Sequence, residues 1–521
     1  MEGAGADAGG SPAVTLSGVS AALRERRSEA VGSTSQAFGL SGDGDRLQTF
    51  LSTTHPIQGL RLWFGDGGVL RSPYDGAAIL RALDRDIAYL DTLLSEQVDA
   101  ILHHPKFQKL EASWRGVDYL VDQADDDAGV KIKLLDISWA EVTRDMERAI
   151  EFDQSQLFTK VYENEFGMPG GEPFGVLIGD YEVMHKRGKH HPTDDVSTLK
   201  SLSQVSAAAF APLIVGAAPE LLGLDSFRDL GIPIDLSAVF RQPEYDRWRT
   251  LREMEDSRFV GVTLPRILMR LPYGDGAAPD YGFRYIEQVA GNDDRRFLWG
   301  SATYAFGAVL IRNFFDSGWF ADIRGAARDV LGYGLVPGLT VESFATDRKG
   351  VAIKYSTDVS VSDTQEMELS NLGFIPLSKC ANSEYSVFYS NQSVQRPQTY
   401  DRAAANVNAR LSGMLQYILC VSRFSHYVKV MGRDRVGSFI TADECQDFLQ
   451  RWLLNYCSAV DGASDEQKAK YPLREGQVSV RETPGRPGVY SCTVHLQPHA
   501  QLDQVISSFK LVTELSSPGP A

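Results

Sequence analysis

Short apolar runs alternate with longer amphipathic stretches between residues 130 and 315 of this chain. The apolar runs predict strands at Val130–Ile137, Phe174–Ile178, Leu213–Val215 and Arg258–Leu264. The longer stretches predict helices at Trp139–Phe152, Asp194–Phe210 and Ser301–Phe315, the first with Ser138 as its N-cap. A chain that alternates in this way buries a sheet beneath helices, so the pattern indicates a layered α/β core.

The N-terminal part departs from this pattern. Residues 1–46 contain few large apolar side chains and predict a flexible arm, in which 19–31 forms either a disordered tail or a short docking helix. Residues 47–75 predict an extended linker with one short strand. From Leu80 to Ile101 the apolar residues recur every three or four positions, which predicts a helix. We therefore expect an N-terminal arm and linker over 1–79.

The C-terminal part is predicted to be rich in β-structure. Two helical stretches, Ala403–Val430 and Asp443–Tyr456, precede strands at Gln477–Glu482, Tyr490–Gln497 and Ser508–Leu515. The first two strands read as a hairpin closed by Pro484–Gly488. A strand so close to a chain end pairs either with its own sheet or with another chain. We place a region boundary between residues 378 and 379.

Composition excludes several classes of protein. At 521 residues, with 43% hydrophobic and 23% charged residues, the chain is a folded protein of more than one domain. A formal net charge of −16 argues against nucleic-acid binding. The five cysteines are widely spaced and odd in number, which favours reduced thiols.

With no signal peptide and no apolar run long enough to span a bilayer, we expect a cytoplasmic protein without membrane insertion.

A search for chemistry finds no catalytic, cofactor or metal motif. The P-loop, HExxH and GxSxG patterns are absent from the sequence. Adjacent helical residues point about 100° apart, so His103 and His104 are poorly placed to share a metal. The segment His185–His191 fits a basic loop ahead of an Asp-capped helix, although an α/β hydrolase using His190, His191 and Asp194 is an alternative. We predict that the protein is not an enzyme.

Long blocks of the sequence resemble one protein family. The segment ILHHPKFQKLEASWRGVDYL at 101–120 is similar to the signature of the large subunits of the type VI secretion contractile sheath, the TssC/VipB family. Further blocks follow in order, including FDQSQLFTKVYENEFGMPGGEPFGVLIGDYE at 152–182, NARLSGMLQYILCVSRFSHYVKV at 408–430 and LVTEL at 511–515. The resemblance runs from about residue 80 to about residue 515.

The resemblance implies a structural role in a contractile machine. Such a subunit pairs with a small sheath subunit (TssB/VipA), and the pairs stack in a six-start helical sheath around a tube of Hcp protein. Contraction drives the tube outward from a baseplate, and the ClpV ATPase recycles the contracted sheath. The implied fold is a layered α/β fold related to phage tail sheaths. Residues 80–378 would form its N-terminal and middle region and 379–521 its C-terminal region. A sheath subunit of another contractile injection machine is an alternative.

Two groups of residues are predicted to carry assembly. Terminal strands of this family are shared between protomers, so we expect inter-protomer strand exchange to involve the apolar residues of the C-terminal strands. These are Val478, Val480, Tyr490, Cys492, Val494, Leu496, Phe509, Leu511 and Leu515. A basic run in an otherwise acidic chain predicts contact with the tube or with the small subunit; the alternative is a helix end stabilised by its cations. Its residues are Arg423, Lys429, Arg433 and Arg435.

Overall fold

The computed structural model describes residues 44–515 apart from a set of gaps. The gaps are residues 66–75, 125–128, 169, 190, 275–281, 284, 290–295, 327–331, 342–355, 381–384, 435–440, 461–463, 483–489 and 500–508. Residues 1–43, with the predicted docking helix at 19–31, lie outside the described part, as does the predicted turn at Pro484–Gly488. The chain divides into a smaller unit, residues 1–99 and 277–286, and a larger unit, residues 100–276 and 287–521.

Helices form the described N-terminal part of the smaller unit. They are α1 Gly44–Ser52, α2 Pro56–Phe64 and α3 Gly76–Leu102. The predicted extended linker with a strand is therefore wrong for residues 47–64. Pro56 favours a helix start, and the indole N–H of Trp63 donates to the buried carboxylate of Asp86 at 3.0 Å. This contact lets the LRLWF run dock as a helix, without any neighbouring strand.

The larger unit contains most of the secondary structure. Its α-helices of four or more residues are α4 Pro105–Gln123, α5 Trp139–Arg148, α6 Asp195–Ala209, α7 Leu236–Val239, α8 Asp246–Glu253, α9 Ala302–Ser317, α10 Asp363–Asn371, α11 Ala403–Ser412, α12 Leu415–Asp434, α13 Ala442–Leu454 and α14 Asp465–Lys470. A helical turn at Gln156–Phe158 continues into a π-helix at Thr159–Gly167. The strands are β1 Leu177–Val183, β2 Leu213–Ala217, β3 Val260–Leu264, β4 Ile267–Leu268, β5 Trp299–Gly300, β6 Leu335–Val336, β7 Ile375–Lys379, β8 Ser386–Phe388, β9 Leu473–Glu482, β10 Tyr490–Pro498 and β11 Phe509–Leu515.

A six-stranded mixed sheet organises the larger unit, in the order β1-β2-β3-β7-β8-β6. The first four strands run parallel, and β8 and β6 are antiparallel to their neighbours. Successive residues of β2 point to opposite faces of the sheet. Val215 packs with α6 on one face, and Ile214 packs with α9 and α12 on the other. Helices therefore cover both faces of the sheet, as expected for parallel strands. The predicted α/β layered class is confirmed.

A separate three-stranded antiparallel sheet, ordered β11-β10-β9, closes the C-terminal region. Its apolar face forms a third core with α12 and α13. In β10 the buried Cys492, Val494 and Leu496 alternate with the more exposed Thr493 and His495, which is the period predicted from the sequence. The three predicted C-terminal strands are therefore confirmed.

One predicted strand has no ladder. Residues 130–137 are extended, but among the described residues no backbone hydrogen bond joins 130–136 to another segment. The predicted N-cap that follows is confirmed, because Ser138 and Glu141 form a capping box at the start of α5. The alternating sequence of 130–137 thus encodes an extended backbone without a partner strand in the described chain.

Candidate assembly surfaces

The C-terminal sheet holds the residues predicted for strand exchange. Val478, Val480, Cys492, Val494 and Leu496 have exposed fractions between 0 and 6% and pack against α12 and α13. Tyr490 is half-buried at the edge of that core. Phe509, Leu511 and Leu515 lie in β11, opposite Leu496, Val494 and Tyr490, and only their backbone is described. The buried side chains of β9 and β10 thus hold the sheet on α12 and α13, which leaves the main chain of an edge strand as the part that another chain could reach.

The outer edge of β9 is closed by two glutamines of α13. The N–H of Val478 donates to Gln450 Oε1 at 2.7 Å, and the N–H of Val480 donates to Gln446 Oε1 at 3.0 Å. Gln450 Nε2 in turn donates to the carbonyl of Gly476 at 2.9 Å. The two side chains satisfy main-chain groups that a neighbouring strand would otherwise take, so β9 is protected from strand addition.

The opposite edge belongs to β11. The N–H groups of Val478 and Val480 point away from β10, towards α13. In β9 and β10, the residue pairs Val478–Val494 and Val480–Cys492 are therefore pairs that share no main-chain hydrogen bond. Val494 and Cys492 therefore direct their main-chain groups towards β11, at Leu511 and Thr513. The intervening residues of β11 turn their main-chain groups outward. These are Lys510, Val512 and Glu514.

The basic run of α12 is engaged within the chain. The ammonium of Lys429 lies 4.8 to 5.1 Å from the ring centroids of Tyr162, Phe166 and Phe210, and burial lowers its pKa to about 8. The guanidinium of Arg433 donates to several carbonyls at the end of the π-helix, including Glu165 at 3.2 Å. Both cations thereby tie α12 to the segment 159–171.

The other two basic residues differ from these. Arg423 stacks on Tyr427, with 4.9 Å between the guanidinium carbon and the ring centroid, and its Nε is buried without a hydrogen-bond partner. Arg435 lies outside the described residues. The guanidinium of Arg423 thus retains an unused donor at Nε.

A cleft of about 2030 Å³ opens beside the outer edge of β1, where Lys109 of α4 donates to the carbonyl of Asp180 at 2.9 Å. One wall is α4, whose Leu110, Trp114 and Val117 follow one another at helical spacing. The other wall is the extended segment 130–137, and Arg423 lines the cleft from α12. The cleft therefore combines apolar side chains with two stretches of main chain.

The described residues of the histidine loop bind groups of their own chain. Asp194 caps α6 and binds Arg247 Nη2 at 2.7 Å. His191 Nε2 lies 2.6 Å from Asp195, and the hydroxyl of Thr193 lies 3.0 Å from the same nitrogen. Both contacts are made by one ring nitrogen, and they hold the imidazole at the start of α6. His190 lies outside the described residues.

The two histidines of the ILHHP segment serve the fold. His103 Nε2 lies 3.1 Å from Glu287, which also binds the buried Arg270 at 2.6 Å, while His104 Nδ1 accepts from Lys106 N at the start of α4. Among the described residues, no group of three or more potential ligands could hold a metal. Nor does any helix in the described ranges have the length and apolarity to cross a membrane.

The β9 edge and the cleft were not predicted from the sequence. Gln446 and Gln450 stand four residues apart, which places them on one face of α13, but that spacing alone names no partner. The spacing of the apolar residues in α4 can be read from the sequence. Whether these side chains are buried in a core or exposed to solvent is seen only in the structure. Trp114 is 62% exposed in the structure.

The described part of the molecule is thus an α/β protein with an edge strand at β11 and a cleft beside β1, features by which structural assembly proteins join other chains. Family models match most of its length: "VipB: EvpB/VC_A0108, tail sheath N-terminal domain" over residues 84–395 and "VipB_2: EvpB/VC_A0108, tail sheath gpW/gp25-like domain" over 404–515. The chain belongs to the VipB family of type VI secretion sheath large subunits. This is a family of structural sheath proteins and not of enzymes, and membership implies assembly with a small sheath subunit and with further copies of the chain.

Two individual proteins are similar to the chain. One is "Type VI secretion system sheath protein TssC1" of Pseudomonas aeruginosa, 40% identical over 444 residues, which cover 84% of this chain and 86% of that protein. The other is a chain of the cryo-EM structure of the anti-feeding prophage baseplate, with 9% identity and a TM-score of 0.36, covering 74% of this chain and 83% of that one. The second likeness is too distant to carry an argument.

Proposed function

We propose that the chain pairs one-to-one with the small sheath subunit TssB/VipA in the cytoplasm. The pairs polymerise as a six-start helical sheath around an Hcp tube on a baseplate, and contraction propels the tube. The observation that carries the proposal is the family match, which extends through both the layered core and the C-terminal sheet. A sheath must change length while its subunits stay joined, and main-chain hydrogen bonds between strands provide joints that survive such a movement.

Inter-protomer strand exchange is proposed to occur at the β11 edge. Gln446 and Gln450 occupy the outer edge of β9, whereas the outward main-chain groups of β11 have no such cover among the described residues. A terminal strand from a neighbouring copy would therefore extend the sheet beside β11. The body of each subunit then moves as a unit while the shared sheet persists.

Sheath formation tests the proposed function directly. Co-expression of the full chain with the small subunit should yield hollow tubules with a cogwheel cross-section by electron microscopy. A soluble monomer in the presence of the small subunit would overturn the proposal.

The exchange edge is tested by Val512→Pro, which removes an outward N–H from β11 and leaves the ladder to β10 intact. We expect this variant to bind the small subunit but to form no tubules. Val512→Thr keeps the N–H and should assemble normally. Normal tubules from Val512→Pro would show that exchange does not use this edge.

The basic run is proposed to approach the tube or the small subunit through Arg423. Lys429 and Arg433 already bind groups of their own chain, so reversing their charge would disturb α12 as well as an interface. Arg423→Gln is the sharper variant, because the Nε of Arg423 has no partner and the side chain loses only its hydrogen bond to Tyr427 and its ring contacts. We expect shorter or fewer sheaths from it, with the free energy of unfolding lowered by about 1 kcal/mol or less; normal sheaths would contradict a contact at Arg423.

Recycling by ClpV is proposed to use residues 19–31. Deletion of 1–43 would then abolish binding of contracted sheaths to ClpV in a sedimentation assay. Retained binding would place the ClpV site elsewhere.

A further inference from the structure

Residues 130–137 form an extended segment, and among the described residues the backbone of 130–136 makes no hydrogen bond to another segment. The side chains alternate in role: Lys131 binds Glu172 at 2.6 Å and Lys133 binds Glu165 at 2.6 Å, whereas Ile132 and Leu134 are exposed. The ion pairs anchor one face of the segment to the loop at 165–172. The other face, with Leu134 62% exposed, is apolar and uncovered. An extended apolar segment with unused main-chain groups is a template for pairing with another chain.

The opposite side of the cleft offers a matching surface. Strand β1 is the edge of the six-stranded sheet, and Tyr181 of β1 donates from its hydroxyl to the carbonyl of Ile137 at 2.7 Å. This bond closes one end of the space between β1 and the extended segment. Leu110 and Trp114 of α4, 56% and 62% exposed, line the same cleft. A strand of eight residues spans about 26 Å and the 19 residues of α4 about 28 Å, so the wall is long enough for a complete strand.

The cleft is lined by a buried hydrogen-bond donor, the Nε of Arg423, that lacks an acceptor. The Nε of Arg423 is buried without a hydrogen-bond partner, although its Nη2 donates to Tyr427 at 3.1 Å. Buried donors in native proteins are nearly always bonded. A carbonyl from a chain lying in the cleft would satisfy this donor, which favours a polypeptide over a purely apolar ligand.

The terminal segments of this chain are poor candidates for the occupant. Residues 1–43 contain eight residues of the types Val, Leu, Ile, Met, Phe, Trp or Tyr, and never more than two of them at alternate positions. Residues 516–521 contain none. A strand that covers Leu110, Trp114 and Leu134 needs large apolar side chains at alternate positions over its length. Neither of these two stretches supplies such a strand, whereas family membership implies a second polypeptide, the small sheath subunit.

We propose that this cleft receives an extended segment of the small sheath subunit, which pairs with 130–137 and the edge of β1. The segment carries large apolar side chains at alternate positions, and these pack on α4. The inference rests on the proposed function, because it assumes that the small subunit is the partner. It adds the site at which the small subunit binds and the type of segment that fits there, an extended strand with apolar side chains at alternate positions.

Hydrogen exchange of the full chain, alone and co-expressed with the small subunit, tests the inference. Amides of 131–136 should exchange freely in the chain alone and at least about 100-fold more slowly in the complex. Equal exchange in the two samples would overturn the inference. Protection already present in the chain alone would also overturn it, because the occupant would then be this chain or a second copy.

Matched variants test the same surface through binding. Leu134→Asp and Trp114→Asp should weaken copurification of the small subunit by about 30-fold or more. Ile232→Asp is the control, because Ile232 is also 62% exposed but does not line the cleft. Loss of binding in all three variants, or in none, would overturn the inference. Failure of the wild-type chain to bind the small subunit would contradict the proposed function as well as the inference. If wild-type tubules form and the cleft variants assemble equally well, only the assignment of the cleft is wrong.

Discussion

The segment 130–137 and strand β9 have similar alternating sequences and opposite surroundings. In β9 the apolar residues Val478 and Val480 are buried, one edge pairs with β10, and the other edge is bonded by Gln446 and Gln450. In 130–137 the apolar residues Ile132, Leu134 and Leu135 are exposed, and among the described residues the backbone of 130–136 has no ladder. The comparison teaches that an alternating pattern predicts an extended backbone, while the neighbours decide whether the strand is complete.

The largest effect on the free energy of unfolding is expected when one carboxylate is placed in the C-terminal sheet and, in a separate variant, one in 130–137. Val494→Asp puts a carboxylate at a position with 0% exposure in the C-terminal core, and should lower the free energy of unfolding by more than about 3 kcal/mol. Leu134→Asp changes an exposed side chain and should change that free energy by less than about 0.5 kcal/mol. Denaturant unfolding followed by circular dichroism measures both. Equal destabilisation would mean that 130–137 is part of a core in the isolated chain.

A smaller effect is expected where α4 approaches α9. A methyl group at Gly116 would overlap the buried ring of Tyr304, so Gly116→Ala must displace either the helix or the ring. We expect a loss of about 1–3 kcal/mol in thermal unfolding, together with weaker binding of the small subunit, since α4 forms a wall of the cleft. Gly76→Ala, whose methyl group would meet nothing within 4 Å, is the control. Unchanged stability would show that the contact adapts without cost.

The protected edge of β9 can be opened by Gln446→Leu. The N–H of Val480 then loses its acceptor, which should cost about 1–2 kcal/mol in denaturant unfolding and should increase self-association measured by light scattering. Gln446→Glu keeps the acceptor oxygen and should remain close to the wild type. If Gln446→Leu neither destabilises the chain nor promotes association, the glutamine does not protect the edge.

The smallest effect is expected from His191, which lines the cleft. The hydrogen bond to Asp195 raises the pKa of His191 above its ordinary value of 6.5. The folded state therefore holds the proton more tightly than the unfolded state, and the pair contributes fully below about pH 6.5 and less as the pH rises through the raised pKa. His191→Gln should lower stability by about 1 kcal/mol or less near pH 5.5, and by less near pH 9. A difference from the wild type that is constant with pH would contradict the pairing.

Several features followed from the sequence because they depend on neighbours along the chain. The caps at Ser138 and Asp194 and the alternation in β10 involve contacts within a few residues, so composition and period suffice to predict them. The layered α/β class follows from the order of those elements. The family blocks from about 80 to 515 add the function, which the family models support.

Other features required the tertiary structure because they depend on contacts distant in sequence. The LRLWF run was predicted to be extended, yet Trp63 reaches Asp86, 23 residues away, and the run is helical. Lys429 appeared to be a surface cation, but the rings of Tyr162, Phe166 and Phe210 enclose it. The domain boundary at 378 and the residues of strand exchange stay predictions. The sequence by itself determined the helices that begin at Ser138, Asp194 and Ser301 and the three C-terminal strands, since those patterns are local. Only the tertiary structure decided which strand edges are closed and which remain open, since an edge is defined by whichever group lies beside it.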